Sequence, residues 1–260
     1  MTSLSTGLLR ALRLYNLFVN PISFIARNSI GIVGNKFFLE QFNERCLDLG
    51  AGISPYKSDI IEKMNVAQYV ALDISPSDST QIIADVTSLP FASSSFDLAV
   101  SFDVIQHVEF FNVMLEEVSR TVKPGGHFLL TFPFLYPECD FHDFHRWTME
   151  GMEKSLSDND FEIIYSKRRG GSCFVFACFL NWLIQHAFPG QRRSWRAHRT
   201  AMSIARAILI FFFTIPTIFI AWIALFLDRM LPGKGIYMGG VVLARKNLSS
   251  NDFANVSGLS

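Results

Sequence analysis

One short stretch constrains this chain more than any other. Cys46-Leu-Asp-Leu-Gly-Ala-Gly-Ile-Ser-Pro-Tyr56 is an apolar run that breaks into a glycine loop ahead of a helical segment. Gly50 and Gly52 let the backbone turn tightly and approach a ligand closely. The helix that follows presents free N–H groups suited to a carboxylate or phosphate. Taken alone, the pattern also fits an ordinary strand-to-helix turn, so its surroundings matter. Short apolar runs at 45–49, 68–73, 80–84, 96–101 and 127–133 alternate with helical segments near 56–64 and 109–121, the latter closed by Lys123-Pro-Gly-Gly126. Strands alternating with helices build parallel βαβ units with right-handed crossovers, which makes this an α/β, doubly wound sheet. Thr148 is placed to cap a helix over 149–158, with Glu150 favouring the helix dipole. Phe161–Lys167 and Tyr237–Lys246 read as further strands.

Three acids fall at successive strand ends. Asp48 lies immediately ahead of the glycine loop, where an acid suits an ammonium group better than a pyrophosphate. Asp73 ends the second strand, 21 residues after Gly52, and can accept from both hydroxyls of a ribose. Asp85 follows the third strand in Ile82-Ile-Ala-Asp-Val86 and can accept from an exocyclic adenine amine beside Val86. These positions lie outside the carboxyl ends of strands, where open α/β sheets bind ligands. A nicotinamide cofactor is disfavoured, because Pro55 stands where its fingerprint needs a third glycine.

With Leu89-Pro-Phe…Ser95-Phe-Asp-Leu and Val122-Lys-Pro-Gly-Gly-His-Phe-Leu-Leu130 added, residues 44–168 resemble the class I S-adenosylmethionine-dependent methyltransferases, in their small-molecule branch. The resemblance implies a seven-stranded, mostly parallel Rossmann-like sheet whose last, antiparallel strand is Tyr237–Lys246. It implies S-adenosylmethionine as cofactor, with Asp48 near the methionine amine and the Gly50–Gly52 loop around the methionyl part. It puts Asp73 on the ribose and Asp85 and Val86 beside the adenine. Ser101, Phe102 and Asp103, with Gln106 and His107 behind them, would line the site near the methyl group. Ser54-Pro55 departs from the more glycine-rich versions of the loop.

Methyl transfer from a sulfonium is an in-line displacement that requires no metal, and it needs a base only when the acceptor arrives protonated. Candidates sit in Tyr136-Pro-Glu-Cys-Asp-Phe-His-Asp-Phe-His-Arg-Trp-Thr148, which carries much polar function for so aromatic a loop. The segment is similar to an acceptor-side loop of a bacterial branch of the family. On that reading His142 or His145, with Asp143, handles a proton, while Asp103, His107, Arg146 and Trp147 shape the acceptor pocket. The competing reading makes Asp143 and Arg146 a structural ion pair. Zinc held by Cys139, His142 and His145 lacks a clear fourth ligand and is disfavoured.

Only 18% of the residues are charged, against a usual level of roughly 25%. The apolar excess is local. Ser172–Phe188 is largely apolar, and residues 207–227 contain no charge, enough for a helix of about 31 Å at 1.5 Å per residue. Between them, Gln191–Arg206 carries five arginines and no acid. Residues 4–19 read as an amphipathic helix, and no acid precedes Glu40. Basic, apolar-flanked segments point to an anionic membrane surface and away from nucleic acid. One crossing at 207–227 would leave the last strand on the wrong side of a bilayer, and two crossings would set the basic loop against the positive-inside tendency. A re-entrant or interface-lying hairpin fits better than a span, and the competing reading is a buried hairpin that covers the domain or a dimer interface. The expected organisation is an N-terminal helical segment over 1–43, a methyltransferase domain over 44–171 and 236–246, a hydrophobic hairpin over 172–235, and a disordered tail over 247–260. Four cysteines without CxxC spacing suit a reducing compartment. The chain is thus expected to be cytoplasmic and membrane-associated through 172–228, acting on a small or lipid-linked acceptor. The alternative is a non-catalytic scaffold of the same fold that docks partners through its hairpin.

Overall fold

The structure, a computed structural model, describes residues 21–37, 43–138, 142–187, 216, 219–230 and 235–248. The expected helix at 4–19, the basic block at 191–206, most of the uncharged run at 207–227 and Cys139 lie outside them. The chain forms two compact units. One comprises Arg27–Phe134, Phe141–Arg168 and Gly239–Ser260, and the other comprises Met1–Ala26, Leu135–Asp140 and Arg169–Met238.

The first unit is built on strands β1 (Asn43–Leu49), β2 (Val66–Asp73), β3 (Ile82–Ile83), β4 (Phe96–Phe102), β5 (Val122–Pro133), β6 (Phe161–Arg169) and β7 (Gly239–Lys246). They form one seven-stranded sheet in the order β3-β2-β1-β4-β5-β7-β6. Strands β1 to β5 pair in parallel, and β7 runs antiparallel to β5. The order reverses between β1 and β4, so the crevice at a topological switch point opens at the carboxyl ends of these two strands.

Helices α1 (Pro21–Phe37) and α2 (Lys57–Lys63) supply one apolar layer, with Ile30, Val33, Ile60 and Met64 packed with Cys46, Ala71, Leu98 and Leu129. Helices α3 (Phe111–Thr121) and α4 (Met149–Ser157) supply the other, with Met114, Leu115, Val118, Met152 and Leu156 packed with Leu47, Leu49, Phe128 and Phe132. Two helical layers make the sheet doubly wound, and they explain why residues 46–49, 98–101 and 126–133 of the central strands are buried on both faces. The Thr148 side chain accepts from Gly151 N–H at 3.1 Å and caps α4. Strand β5 begins directly at Val122, where α3 ends, so Lys123–Gly126 lies within a long strand whose register shifts opposite Phe96 and Leu98.

The second unit contains α5 (Ser172–Ala187) and a helix over 219–230, α6. Phe174, Val175 and Ala177 form a seam with Ala221, Ala224 and Met238. The Asp228 carboxylate accepts the N–H groups of Gly171, Cys173 and Phe174 at 2.8, 2.9 and 3.0 Å. It caps the start of α5, where these donors have no partner within the helix. A Cβ on Gly171 would stand 2.6 Å from that carboxyl group, so a larger residue there would push the carboxylate aside. Among the described residues no helix is long and apolar enough to cross a membrane.

Candidate active site

The loop after β1 is fastened from several sides. Gly50 and Ala51 N–H both donate to Leu72 O, at 2.9 and 3.0 Å, which folds the loop back over the end of β2. Gly50 has φ +72°, and a Cβ there would lie 2.5 Å from the Val104 side chain. At the end of β2, Asp73 accepts from Gly52 N–H through Oδ2 and from Ser75 N–H through Oδ1, each at 2.8 Å. Ser77 Oγ donates to Gly52 O at 2.6 Å, and Ser79 Oγ to Ile53 O at 3.1 Å. From α1, Arg27 pairs with Asp59 and donates to Pro55 O at 2.8 Å. Its guanidinium lies 5.4 Å from the centre of the Tyr56 ring, which meets Phe102 edge-on at 5.2 Å. Pro55, the departure from the glycine-rich pattern, is therefore held by an arginine.

Asp48 is buried at 4% exposure, and among the described residues no cation bonds to it. Its Oδ2 accepts the Tyr69 hydroxyl. Burial raises its pKa to about 7, the Tyr69 bond opposes the rise, and the nearby Asp73 charge adds to it. Asp85 is exposed, and its Oδ1 accepts from Thr87 N–H at 2.8 Å and the Thr87 hydroxyl at 2.7 Å. Val86 is buried in the apolar layer below, so its backbone and not its side chain is what can border a ligand. All three acids keep accepting capacity, because a carboxylate offers about four lone-pair sites.

At the end of β4, Ser101 is fully buried and Phe102 half-buried. Asp103 has φ +53°, and its N–H reaches Thr131 O and Oγ1 at 3.1 and 3.0 Å. Gln106 Nε2 donates to Asp103 O at 2.6 Å. Ser101 Oγ and Gln106 Oε1 are buried without a hydrogen-bond partner. Such groups are rare in folded proteins, and a ligand is one way to satisfy them.

The 142–148 loop is tied to the turn after β4. Phe144 N–H donates to Gln106 O at 2.8 Å. His107 Nδ1 lies 3.0 Å from His142 O, and His145 Nε2 lies 3.0 Å from Glu109 O. A carbonyl only accepts, so each of these nitrogens carries the proton. In neutral His107 the remaining lone pair, on Nε2, then receives Gln106 Nε2 at 3.1 Å. The ring of His142 is exposed and stacked on Phe144 at 5.8 Å. Asp143, whose side chain is 1% exposed, is bound by both terminal nitrogens of Arg146, one of them at 2.6 Å. That is the ion pair offered as the competing reading of these two residues, and it occupies Asp143. Trp147 packs on Phe111 at 4.5 Å and on His145 at 5.1 Å.

Residues 47–130 match the family model of the methyltransferase domain. Over this stretch the chain carries a methyltransferase domain. Among curated proteins, it is 24% identical over 186 residues to a sterol 4-C-methyltransferase of Caenorhabditis elegans, covering 55% of this chain and 54% of that one. It is 26% identical over 167 residues to a fatty-acid O-methyltransferase of Mycolicibacterium smegmatis, covering 58% of each. The chain thus spans little more than half the length of these relatives. The solved structure of the [4+2]-cyclase SpnF superposes with a TM-score of 0.55 at 16% identity, covering 86% of this chain and 82% of that one. The last likeness concerns the fold alone, since one fold hosts several chemistries.

The residues of the methyltransferase domain fit its cofactor. A Cβ on Gly52 would meet nothing within 4 Å, so the loop opens there, and an uncompensated buried carboxylate stands beside it. Sequence reasoning did not single out Tyr69, Ser77 or Arg27 as site residues. Each acts through a contact 21 or more positions away, which local pattern does not encode.

Proposed function

We propose that this chain transfers a methyl group from S-adenosylmethionine to an apolar, lipid-like acceptor at an anionic membrane surface. The observation that carries the cofactor half is the set of acids at the ends of β1, β2 and β3 around the open Gly50–Gly52 loop. Asp48 would meet the ammonium group, Asp73 the ribose hydroxyls, and Asp85 with the backbone of Val86 the adenine. S-adenosylmethionine supplies an electrophilic methyl group on a sulfonium. The protein's part is orientation and exclusion of water, and a fixed near-attack geometry alone contributes about 7–11 kcal/mol.

On the acceptor side, His107, Asp103 and Trp147 would form a rigid wall. His142 would take the proton when the acceptor is a hydroxyl, since its ring makes no hydrogen bond among the described residues. His145, its Nε2–H committed to Glu109 O, would have only Nδ1 for that role. Asp143 and Arg146 would hold the loop's shape.

The helical unit supports the membrane half. Beyond its buried seam, α5 exposes Phe176, Phe179 and Leu183, and α6 exposes Phe219, Ile223 and Phe226. Helices apolar on their outer faces call for a further apolar partner. The five arginines at 192–206 select an anionic one. Sterol and fatty-acid methylation by the relatives suggests a lipid-like acceptor.

Two measurements test the proposal. Calorimetry should give saturable S-adenosylmethionine binding and no NAD binding. Flotation with vesicles rich in anionic lipid should carry the protein up, and labelled methyl should enter the lipid fraction. Cofactor binding and flotation without any transfer would support the scaffold reading instead.

A further inference from the structure

Resting on that cofactor reading, we propose that Tyr69 is a positioning residue for the cofactor's ammonium group. Its hydroxyl ties down Oδ2 of Asp48 and leaves Oδ1 to receive the ligand. Tyr69 sits on β2 opposite Cys46, two positions before Asp48 on β1, and its ring runs forward along the sheet to reach the carboxylate. Both side chains lie on the α1–α2 face of the sheet, at 7% and 4% exposure.

The surroundings explain why this bond matters. On β1 the nearest titratable neighbour is Cys46, whose thiol is pushed up by burial and by Asp48. On β2 there are Tyr69 itself and Asp73, whose charge opposes ionisation of Asp48. From α2, Lys57 Nζ sits 5.2 Å from the centre of the Tyr69 ring, on the aromatic ring and not on the carboxylate. The residues β4 and α1 pack into this layer are apolar: Leu98, Val100, Ile30 and Val33. A buried carboxylate without a cation is costly, and among the described residues the Tyr69 hydroxyl is the side-chain donor that favours its ionised form. The missing cation is then supplied by the ligand, and the hydroxyl sets which oxygen receives it.

The test is calorimetric titration between pH 5.5 and 9 with S-adenosylmethionine and, separately, with methylthioadenosine, which keeps the adenosine part and lacks the ammonium. In the wild type, S-adenosylmethionine affinity should rise toward pH 7 as Asp48 ionises. It should fall again above about 8, as the ligand's amine loses its proton. Tyr69→Phe removes a bond that favours the carboxylate, so the acid limb should move up by about one pH unit, about tenfold weaker binding at pH 6. Methylthioadenosine should bind both forms alike at every pH. Asp48→Asn should abolish the acid limb, which keeps the proposal testable if Tyr69→Phe does not fold. An unshifted acid limb in Tyr69→Phe, equal weakening of both ligands, or an acid limb retained in Asp48→Asn would overturn it. A folded wild type that binds neither ligand would instead sink the cofactor reading beneath it.

Discussion

The ends of β1 to β3 and the 142–148 loop both concentrate ionisable side chains, and they satisfy them in opposite ways. Asp48, Asp73 and Asp85 accept from a phenol, from backbone N–H groups or from a neighbouring hydroxyl, and among the described residues none is paired with a cation. In the loop, Asp143 is gripped by Arg146, while His107 and His145 each donate to a main-chain carbonyl. On the proposed function, the first region would be preorganised toward a ligand that brings hydroxyls and positive charge. The second spends most of its polar function on its own shape and presents aromatic surface. A demanding cofactor and an apolar acceptor would call for this division.

The contrast breaks most sharply at Arg146. Arg146→Ala would strand a buried carboxylate and should lower stability by about 3–5 kcal/mol in chemical denaturation. A loss below about 1 kcal/mol would mean that the ion pair does not hold the loop. Asp73→Ala should weaken S-adenosylmethionine about a hundredfold by calorimetry, the worth of a charge-assisted acceptor of about 2–3 kcal/mol. Unchanged affinity would remove the strand-end acids from the site.

Asp48→Asn sharpens the comparison through its sign. The folded-state pKa of Asp48, about 7, lies above the value near 3.8 of a free carboxyl. Its contribution to stability is therefore present below about pH 4 and lost as pH rises through 7. At pH 8 the ligand-free Asn variant should be more stable than the wild type by about 2 kcal/mol, while binding cofactor less well. Equal thermal stability at pH 8 would show that Asp48 carries no burial cost. The smallest effects belong to the histidines. His145→Ala should cost about 1 kcal/mol for its lost bond, and His142→Ala less than about 0.5 kcal/mol, since its ring is exposed. A larger loss at His142 would make it part of the loop's scaffolding.

Much of this was readable before any coordinates. The apolar runs located all seven strands and helices α2, α3 and α4, although β5 begins at Val122 and takes in the Lys123–Gly126 stretch read as a turn, and Thr148 announced its cap. Asp48, Asp73 and Asp85 were legible because strand ends follow from the runs themselves. What was not legible came from partners distant in the chain. Glu117 and Arg120 lie on the polar side of α3, and nothing in their spacing names a partner. They brace the Leu89–Phe91 segment, Glu117 accepting Leu89 N–H at 2.7 Å and Arg120 donating to Phe91 O at 2.7 Å. Asp228 follows the uncharged run at 207–227, and it caps a helix 54 or more positions earlier.

The sequence by itself determined the α/β class, the mostly parallel sheet with its last strand antiparallel, and the acids at successive strand ends. All of these depend on periodicity and on residues within one βα unit. The tertiary structure alone decided that Tyr69 holds Asp48, that Arg27 fastens Pro55, that Val86 turns inward, and that Arg146 consumes Asp143. A hydrogen bond is set by distance and direction between folded elements. Neither quantity is written into residue spacing until the sheet brings those elements together.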